Sequence, residues 1–537
     1  MTSLWYLAVF LAGFPSIATA DWQFRSRPDL APPRLNITVP AQQGSVEEGF
    51  IFVAPYPGSA PGHQGPDQPA AYIFRDDGDL IWSGLGYFAA CAGNFGVDTW
   101  NGEQVLRIFQ GQNSETLGRA YGYHSILNNK YENIKTVRGL SNKLGSAHEF
   151  RVIDGKTALV EIGTTKPVGL SPWGGVKGQD WIISTGFQEL DIENGEVLFE
   201  WESLDHVDPK YSLFPLLSEG SAHIGWDSSS AWDYFHLNSA DKDSDGNYII
   251  SARHAAAIYK INGTDGEVIW TLGGLDSSFE VEAEAHFAFQ HDVRLLHRSA
   301  DHSIEILSLF DNAAATPEMK INPFSRARII QLNHTAGTAK ALHTYPAPDG
   351  LSVKSQGNAQ VFSSGNVFVN WGEAGAITEF SADGDVFFHA YLDSAPRDRL
   401  VQNYRGFRFN WTGTPSEKPA IFAVGGYASG DVDVYASWNG DTVTRAWRFY
   451  AEPLGNQRQG QNKERTLLGE AERKSFETHI KLDVSQLSGE FLVSADAVDG
   501  RNTVLRRTEP VTVLQKALLS PPSTESVSEE KQAWEEL

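Results

Sequence analysis

Cysteine is almost missing from this sequence: Cys91 is the only one in 537 residues. A single thiol excludes an intrachain disulfide and any zinc site built from several cysteines, and Cys91 reads as a buried apolar residue. Basic residues are also in deficit, 43 Lys and Arg against 67 Asp and Glu, for a formal charge of −24. Nucleic acid is therefore excluded as a partner, because phosphate binding needs a basic surface. Long apolar runs are missing too. The longest, Leu4 to Ile17, falls short of the ~20 residues that cross a bilayer, so no membrane partner is expected. Two catalytic signatures are absent: the Gly-x-Ser-x-Gly elbow of acyl transfer and the Gly-rich phosphate loop ending in Lys-Ser/Thr.

What is present points to a soluble, secreted, β-rich protein. Hydrophobic residues make up 41% and aromatics 12%, enough for a substantial core, and 50 glycines accompany closely spaced polar turns. Leu4 to Ile17 followed by Ala18-Thr-Ala20 reads as a signal peptide cleaved before Asp21. Four glycosylation sequons, at Asn36, Asn262, Asn333 and Asn410, fit an extracellular eukaryotic glycoprotein.

From about residue 50 a repeat begins. One half is a strand, a Gly-acid turn and an apolar strand: Ile73 to Trp82, Leu190 to Phe199, Tyr259 to Trp270 and Thr378 to Phe388, with a degenerate copy at Ile329 to Ala341. The other half is a turn and strand at Asp154-Gly155-Lys156, Asp245-Gly246-Asn247 and Ser364-Gly365-Asn366. Two hairpins make a four-stranded unit, and stacking such units around an axis hides their edges. The fold class expected is all-β: a six-bladed β-propeller over 49–412 followed by a small β-sandwich over 413–515. A signal peptide (1–20), an extended N-terminal segment (21–48) and a disordered acidic tail (516–537) complete the division.

Histidines recur at one place in the repeat. His148 lies seven residues before Gly155, His236 ten before Gly246, and His291 about ten before the turn at Asp301-His-Ser303, while Gln356 lies nine before Gly365. At the head of each first strand these positions would meet around the axis. Asn238 shares a strand face with His236 by two-residue alternation, and Arg253 returns to the same end of the hairpin. His254, the next residue, is expected on the opposite face. A histidine at a fixed blade position can instead simply hydrogen-bond to the next blade, but that role has no need of Arg253. An imidazole attacks as a nucleophile at neutral pH, a second one supplies a proton to a leaving oxygen, and Arg and Asn hold a multi-oxygen anion. The set suits sulfuryl or phosphoryl transfer without a cofactor. Asp241-Lys-Asp-Ser-Asp-Gly246 has calcium-loop spacing, but Ala252 stands where the loop needs Glu, so it reads as an acidic turn and no metal site is assigned. Trp232, Tyr234, Phe287 and Phe289 pack a core or stack an aryl group.

Trp232-Asp-Tyr-Phe-His-Leu-Asn-Ser239, Ile250-Ser-Ala-Arg-His254, Gly266 to Gly274, Phe289-Gln-His-Asp292 and Ser308-Leu-Phe-Asp-Asn312 together resemble the arylsulfotransferase family, closest to its secreted fungal branch, over nearly all of 50–412. The resemblance implies sulfuryl transfer from an aryl sulfate to a phenol, without a nucleotide donor, through a sulfated histidine. It makes His291 the nucleophile, His236 and Asn238 the family's His-x-Asn pair and Arg253 its anion-binding arginine. His148 in Ala-His-Glu-Phe matches the earlier His-acid motif, with His124 in Tyr-Gly-Tyr-His as the competing match. The sequence departs from the bacterial pattern by carrying its sandwich after the propeller. Two other readings are a non-catalytic secreted propeller that binds a sulfated or phenolic ligand or a protein, and a hydrolase with water as acceptor. Nothing in the sequence sets an oligomeric state.

Overall fold

A computed structural model describes residues 22–515 apart from 59–64, 89–90, 115–117, 215, 217–223, 317, 393–400, 427–429, 455–464 and 488. The expected signal peptide and acidic tail lie outside the described residues. The described secondary structure is nearly all β, and its helical turns are no longer than Ser203–His206.

Each repeat half forms the hairpin its turn chemistry dictates. Asp245-Gly246-Asn247 joins Leu237–Lys242 to Tyr248–Ala252, with Gly246 at φ 87 and the Asp243 carboxylate accepting from Asn247 N at 2.9 Å. The same pattern joins Tyr72–Phe74 to Leu80–Ser83, Ala257–Ile261 to Val268–Gly273, and Ala376–Phe380 to Val386–Tyr391. The degenerate copy is also a hairpin, Arg326–Asn333 with Thr338–Pro346.

Six strands at the heads of these units position the site. They are labelled β1 (Cys91–Trp100), β2 (Leu144–Ile153), β3 (Leu237–Lys242), β4 (His291–Arg298), β5 (Asn358–Val361) and β6 (Phe407–Phe409). β1 touches β2, β2 touches β3, β3 touches β4, β4 touches β5, and β6 touches β1. β5 reaches β6 through side chains: Asn358 exchanges two 2.9 Å hydrogen bonds with the backbone of Gly406, and Gln360 donates to Arg408 O at 2.9 Å. The sheet containing β6 pairs it with Phe50–Val53, joining the two ends of this span. Apolar clusters fill the gaps between neighbouring sheets, such as Phe52, Trp82, Phe95 and Leu106 in one gap and Ile249, Leu272, Val293 and Leu307 in another.

One difference from the repeat is plain. Residues 91–202 form a single eight-stranded sheet rather than two separate units, because β2 pairs with Arg119–Leu127 at Gly145↔Gly122 and Ser146↔Tyr121. On its other edge Arg119–Leu127 packs close to Glu103–Ser114, where Gly122 leaves room, since a Cβ there would stand 2.1 Å from Gln110 O.

The N-terminal segment contributes an edge strand, Asn36–Val39, antiparallel to Val386–Tyr391. Beyond residue 413 two further sheets face each other across Val434, Trp447, Phe449, Val493 and Ala495. Asp431–Ser437 turns Val432, Val434 and Ala436 inward by two-residue alternation. These sheets dock on the first one, where the Asn439 amide bridges Ser83 N and O at 2.8 and 2.9 Å and Tyr131 donates to Gly440 O at 2.7 Å.

Candidate active site

The inner strands bulge where the histidines sit. Register slips between Gly145 and Phe150, between Leu237 and Ser239, and between His291 and Arg294. His236, Phe289, Asp292 and Gln356 adopt positive φ of 56, 57, 54 and 66. Bulges and strained backbone re-aim side chains out of the regular alternation, and they gather at functional sites.

His148 and His236 come together, their buried rings 4.9 Å apart and edge-on. Each is anchored through Nδ1. His236 Nδ1–H donates to Asp233 Oδ2 at 2.5 Å. His148 Nδ1 lies 2.7 Å from Ser146 Oγ and 3.3 Å from Glu161 Oε2. Among the described residues, Nε2 of neither ring has a hydrogen-bond partner. Arg119, itself buried, ties the two carboxylates together, with Nε 3.1 Å from Asp233 Oδ2 and Nη1 on Glu161 Oε1. Burial pushes both imidazoles below their ordinary range against the pull of those carboxylates. Burial also raises the Asp233 carboxyl, but Arg119 and His236 outweigh it and hold it well below the usual range.

His291 heads β4 with a different partner. Its Nδ1 lies 2.7 Å from Asn312 Oδ1. The Asn312 amide cannot face the other way, because its Nδ2 donates to Val353 O at 3.1 Å and Gln356 O at 3.0 Å. Asn312 Oδ1 is thus an acceptor, His291 carries its proton on Nδ1, and Nε2 holds a lone pair. Nε2 accepts one weak bond, from Gln356 N at 3.3 Å. Burial, and then the charge of Arg253, press this imidazole well below the ordinary range, so it is neutral. A carboxylate partner favours imidazolium strongly, whereas the amide of Asn312 raises His291 only weakly and is outweighed by burial and Arg253. The geometry therefore separates His291, a fixed neutral base, from His148 and His236, which are backed by acids.

Arg253 is half-buried, and burial lowers its pKa to about 10. Its bonds go to neutral acceptors, His254 Nε2 at 2.7 Å and Lys354 O at 2.8 Å, and its buried Nε–H has no partner. Among the described residues no carboxylate lies within ion-pairing distance of it. A desolvated guanidinium left unpaired is costly unless an anion arrives.

Three expectations change. Asn238 does not share a face with His236, because His236 precedes the strand at positive φ; the Asn238 amide donates instead to Gln290 O, one residue before β4, at 2.7 Å, leaving its buried Oδ1 open. His254 does not point away. The strand ends at Ala252, the chain turns, and the His254 ring lies 4.4 Å from that of His236. Cys91 is half-buried at the head of β1, not a core residue. The competitor His124 is fully buried, stacked 4.6 Å from Phe150 and bonded to Ser146 O, apart from the cluster. Trp232 and Tyr234 pack one core cluster and Phe287 another, whereas Phe289 faces Arg253 at 6.0 Å.

Sequence reasoning missed Asp233, Glu161, Arg119, Asn312 and Tyr404, whose ring lies edge-on to His148 at 5.4 Å. Two of these had a signal, since Asp233 and Asn312 stand inside stretches singled out for their motifs. Asp233, His236 and His254 also bring three potential metal-ligand atoms within 4.8 Å of one another. Their hydrogen bonds speak against a cation there: His254 Nδ1 aims its proton at Asp233 O, 2.5 Å away, and the Asp233 carboxylate already receives Arg119 and His236. The acidic turn is likewise neutralised from within the protein, with Asp243 2.8 Å from Lys260, Asp245 on Arg298 and Asp241 3.3 Å from Arg151. The sequon residues Asn36, Asn262 and Asn333 are half-buried and Asn410 is exposed.

The family described as arylsulfotransferase (ASST) matches residues 96–392, more than half of the chain. Comparison with curated proteins finds no match. Among solved structures, a Bacteroides caccae protein of unknown function shares 11% identity over 67% of this chain and 98% of its own, with a TM-score of 0.35. A catalytically inactive virginiamycin B lyase from Staphylococcus aureus bound to quinupristin shares 10% over 64% and 80%, with a TM-score of 0.27. A Lactobacillus plantarum protein shares 10% over 81% and 100%, with a TM-score of 0.31. Overlaps this loose carry no weight for the site.

Proposed function

The chain belongs to the arylsulfotransferase family, and from that premise we propose that it moves a sulfuryl group from an aryl sulfate to a phenol through a sulfated His291, without a nucleotide donor. The observation that carries this reading is the pairing of a neutral imidazole, its Nε2 lone pair fixed by Asn312, with a guanidinium that has no carboxylate of its own.

The steps follow from these groups. The donor's sulfate oxygens bind Arg253, while Asn238, whose amide N–H is taken by Gln290 O, keeps only an acceptor oxygen open and gives the sulfate no donor. The Nε2 lone pair of His291 attacks sulfur and forms an N–S bond as the S–O(aryl) bond breaks. The leaving phenolate takes a proton from Nε2 of His148 or His236 in its imidazolium form, which burial disfavours and the carboxylate facing Nδ1 partly restores. A phenol acceptor then gives its proton to the same imidazole and attacks sulfur, and the N–S bond breaks. Arg253 balances charge on the transferring group throughout.

The same reading takes the architecture to be a six-bladed β-propeller over 49–412 with a β-sandwich over 413–515. The succession of contacts from β1 to β6 and back to β1, and the two facing sheets beyond 413, support it. Secretion, glycosylation at the four sequons and a place in the fungal branch belong to this proposal on sequence grounds.

The test is steady-state turnover of 4-nitrophenyl sulfate with and without a phenol. Parallel reciprocal plots and acceptor-dependent nitrophenol release, both lost in His291→Asn, are the expected result. Equal release by His291→Asn would overturn the assignment. Binding of donor with no release by the wild-type protein would leave a ligand-binding module.

A further inference from the structure

His254 has no part in the steps above, yet it is buried in the middle of the site. Its Nδ1–H donates to Asp233 O at 2.5 Å, which leaves Nε2 as a lone pair, and that lone pair accepts Arg253 Nη1 at 2.7 Å. The ring is held in place by Phe214, whose centroid is 3.9 Å away. The rest of the guanidinium's surroundings are also neutral: Lys354 O at 2.8 Å and the rings of Phe214 and Phe289 at 5.5 and 6.0 Å. Asp233 and Glu373 attract Arg253 from farther off, but both are engaged elsewhere. Asp233 receives Arg119 and His236, and Glu373 receives Lys354 N at 2.8 Å and Ser355 Oγ at 3.2 Å.

An arginine in a protein is usually aimed by a carboxylate, which orients it and cancels its charge together. A neutral imidazole orients it and leaves the charge whole. Resting on the transferase reading, we infer that His254 is a positioning residue that aims Arg253 as a single uncompensated charge, making the anion subsite selective for monoanionic sulfate esters over dianionic phosphate esters. The charge count supports the selectivity. Arg119 is matched by Asp233 and Glu161, so among the described residues Arg253 is the one arginine of this cluster with a charge to spare, and a second negative charge would face those two carboxylates.

The probe is inhibition of 4-nitrophenyl sulfate turnover by methyl sulfate, a monoanion, and by phenyl phosphate, a dianion at pH 8. Wild-type protein is expected to bind methyl sulfate at least about tenfold more tightly. His254→Glu pairs with Arg253 and should raise the methyl sulfate inhibition constant and the donor KM together by about tenfold or more, whereas His254→Gln, with an acceptor near the Nε2 position, should raise them by less than about threefold. Unchanged constants in His254→Glu, or equal losses in the two variants, would overturn the inference. Should His254→Glu fail to fold, judged by its melting temperature, equal inhibition of wild-type protein by the two anions would overturn it. Calorimetric binding of methyl sulfate by wild-type protein separates the two claims. Selective binding without turnover contradicts the transferase reading alone, and turnover with unselective inhibition contradicts this inference alone.

Discussion

Arg405 and Arg253 are both guanidiniums drawn away from water beside the inner strands, and they are held in opposite ways. Arg405 Nη1 lies 3.1 Å from Glu149 Oε1, and its neighbour Arg294 lies 2.8 Å from Glu149 Oε2 and 2.5 Å from Asp292. Arg107 repeats the rule with Asp98 at 2.8 Å. Each of these three guanidiniums has its anion. In the histidine layer Arg253 has only neutral acceptors. Paired charges in a low-dielectric interior are structure; an unpaired one is held for a ligand. On the proposed reading, side chains of one chemical type separate into scaffold and site by what they face.

Substitutions can break this comparison from either side. The largest effect expected is on His291, where His291→Asn should lower kcat by about 10⁴-fold or more in a protein that melts normally, read by nitrophenol release and a thermal scan. Next is the paired layer. Glu149→Gln leaves Arg405 and Arg294 to share the single carboxylate of Asp292 and should cost about 3–5 kcal/mol of stability, measured by denaturant unfolding. Arg253→Met should do the converse, losing about 10²–10³-fold in kcat/KM while the melting temperature stays put or rises. If Arg253→Met proved as destabilising as Glu149→Gln, the distinction between the layers would fail.

Two smaller effects sharpen it. Asn312→Asp puts a carboxylate against His291 Nδ1, favours the imidazolium, and should move the acidic limb of the kcat/KM profile upward by about 1–2 pH units. The layers should also respond to acid in different windows. Burial holds His124 and His254 at about 3. The unfolded chain then binds their protons first, and stability present above about 6.5 is lost as pH falls towards 3, by up to about 1.4 kcal/mol per histidine per pH unit. Glu149 is opposed by burial but held at about 2 by Arg294 and Arg405, so its contribution is present above about 4.5 and is lost only as pH falls through about 2. Melting temperatures between pH 7 and 5 should therefore fall in wild-type protein, and less steeply in His254→Gln.

Much of this was legible in the sequence, for a physical reason. Gly-acid turns and two-residue alternation are local, so the hairpins at Asp245-Gly246 and Asp154-Gly155 and the inward residues Val432 and Val434 could be read directly. The spacing of His148, His236 and His291 from their turns led to the expectation of a common cluster, and the rings of His148 and His236 lie 4.9 Å apart. What failed was alternation at the bulges, where His236 at φ 56 leaves the strand geometry and His254 sits on a turn. The joining of two units into one sheet escaped because it depends on Gly122 meeting Gly145. The anchors were hidden by distance along the chain: Arg119, Glu161 and Asp233 come from three separate places and meet only in the fold. Partner identity, which separates His291 from its fellow histidines, is a tertiary property.

The most direct test of the central claim is intact-protein mass spectrometry after brief mixing with 4-nitrophenyl sulfate, without acceptor, at neutral to basic pH. The account predicts one added sulfuryl group that maps to His291 and disappears when a phenol is added. An adduct that maps to His148 or His236, or that forms equally in His291→Asn, would contradict it.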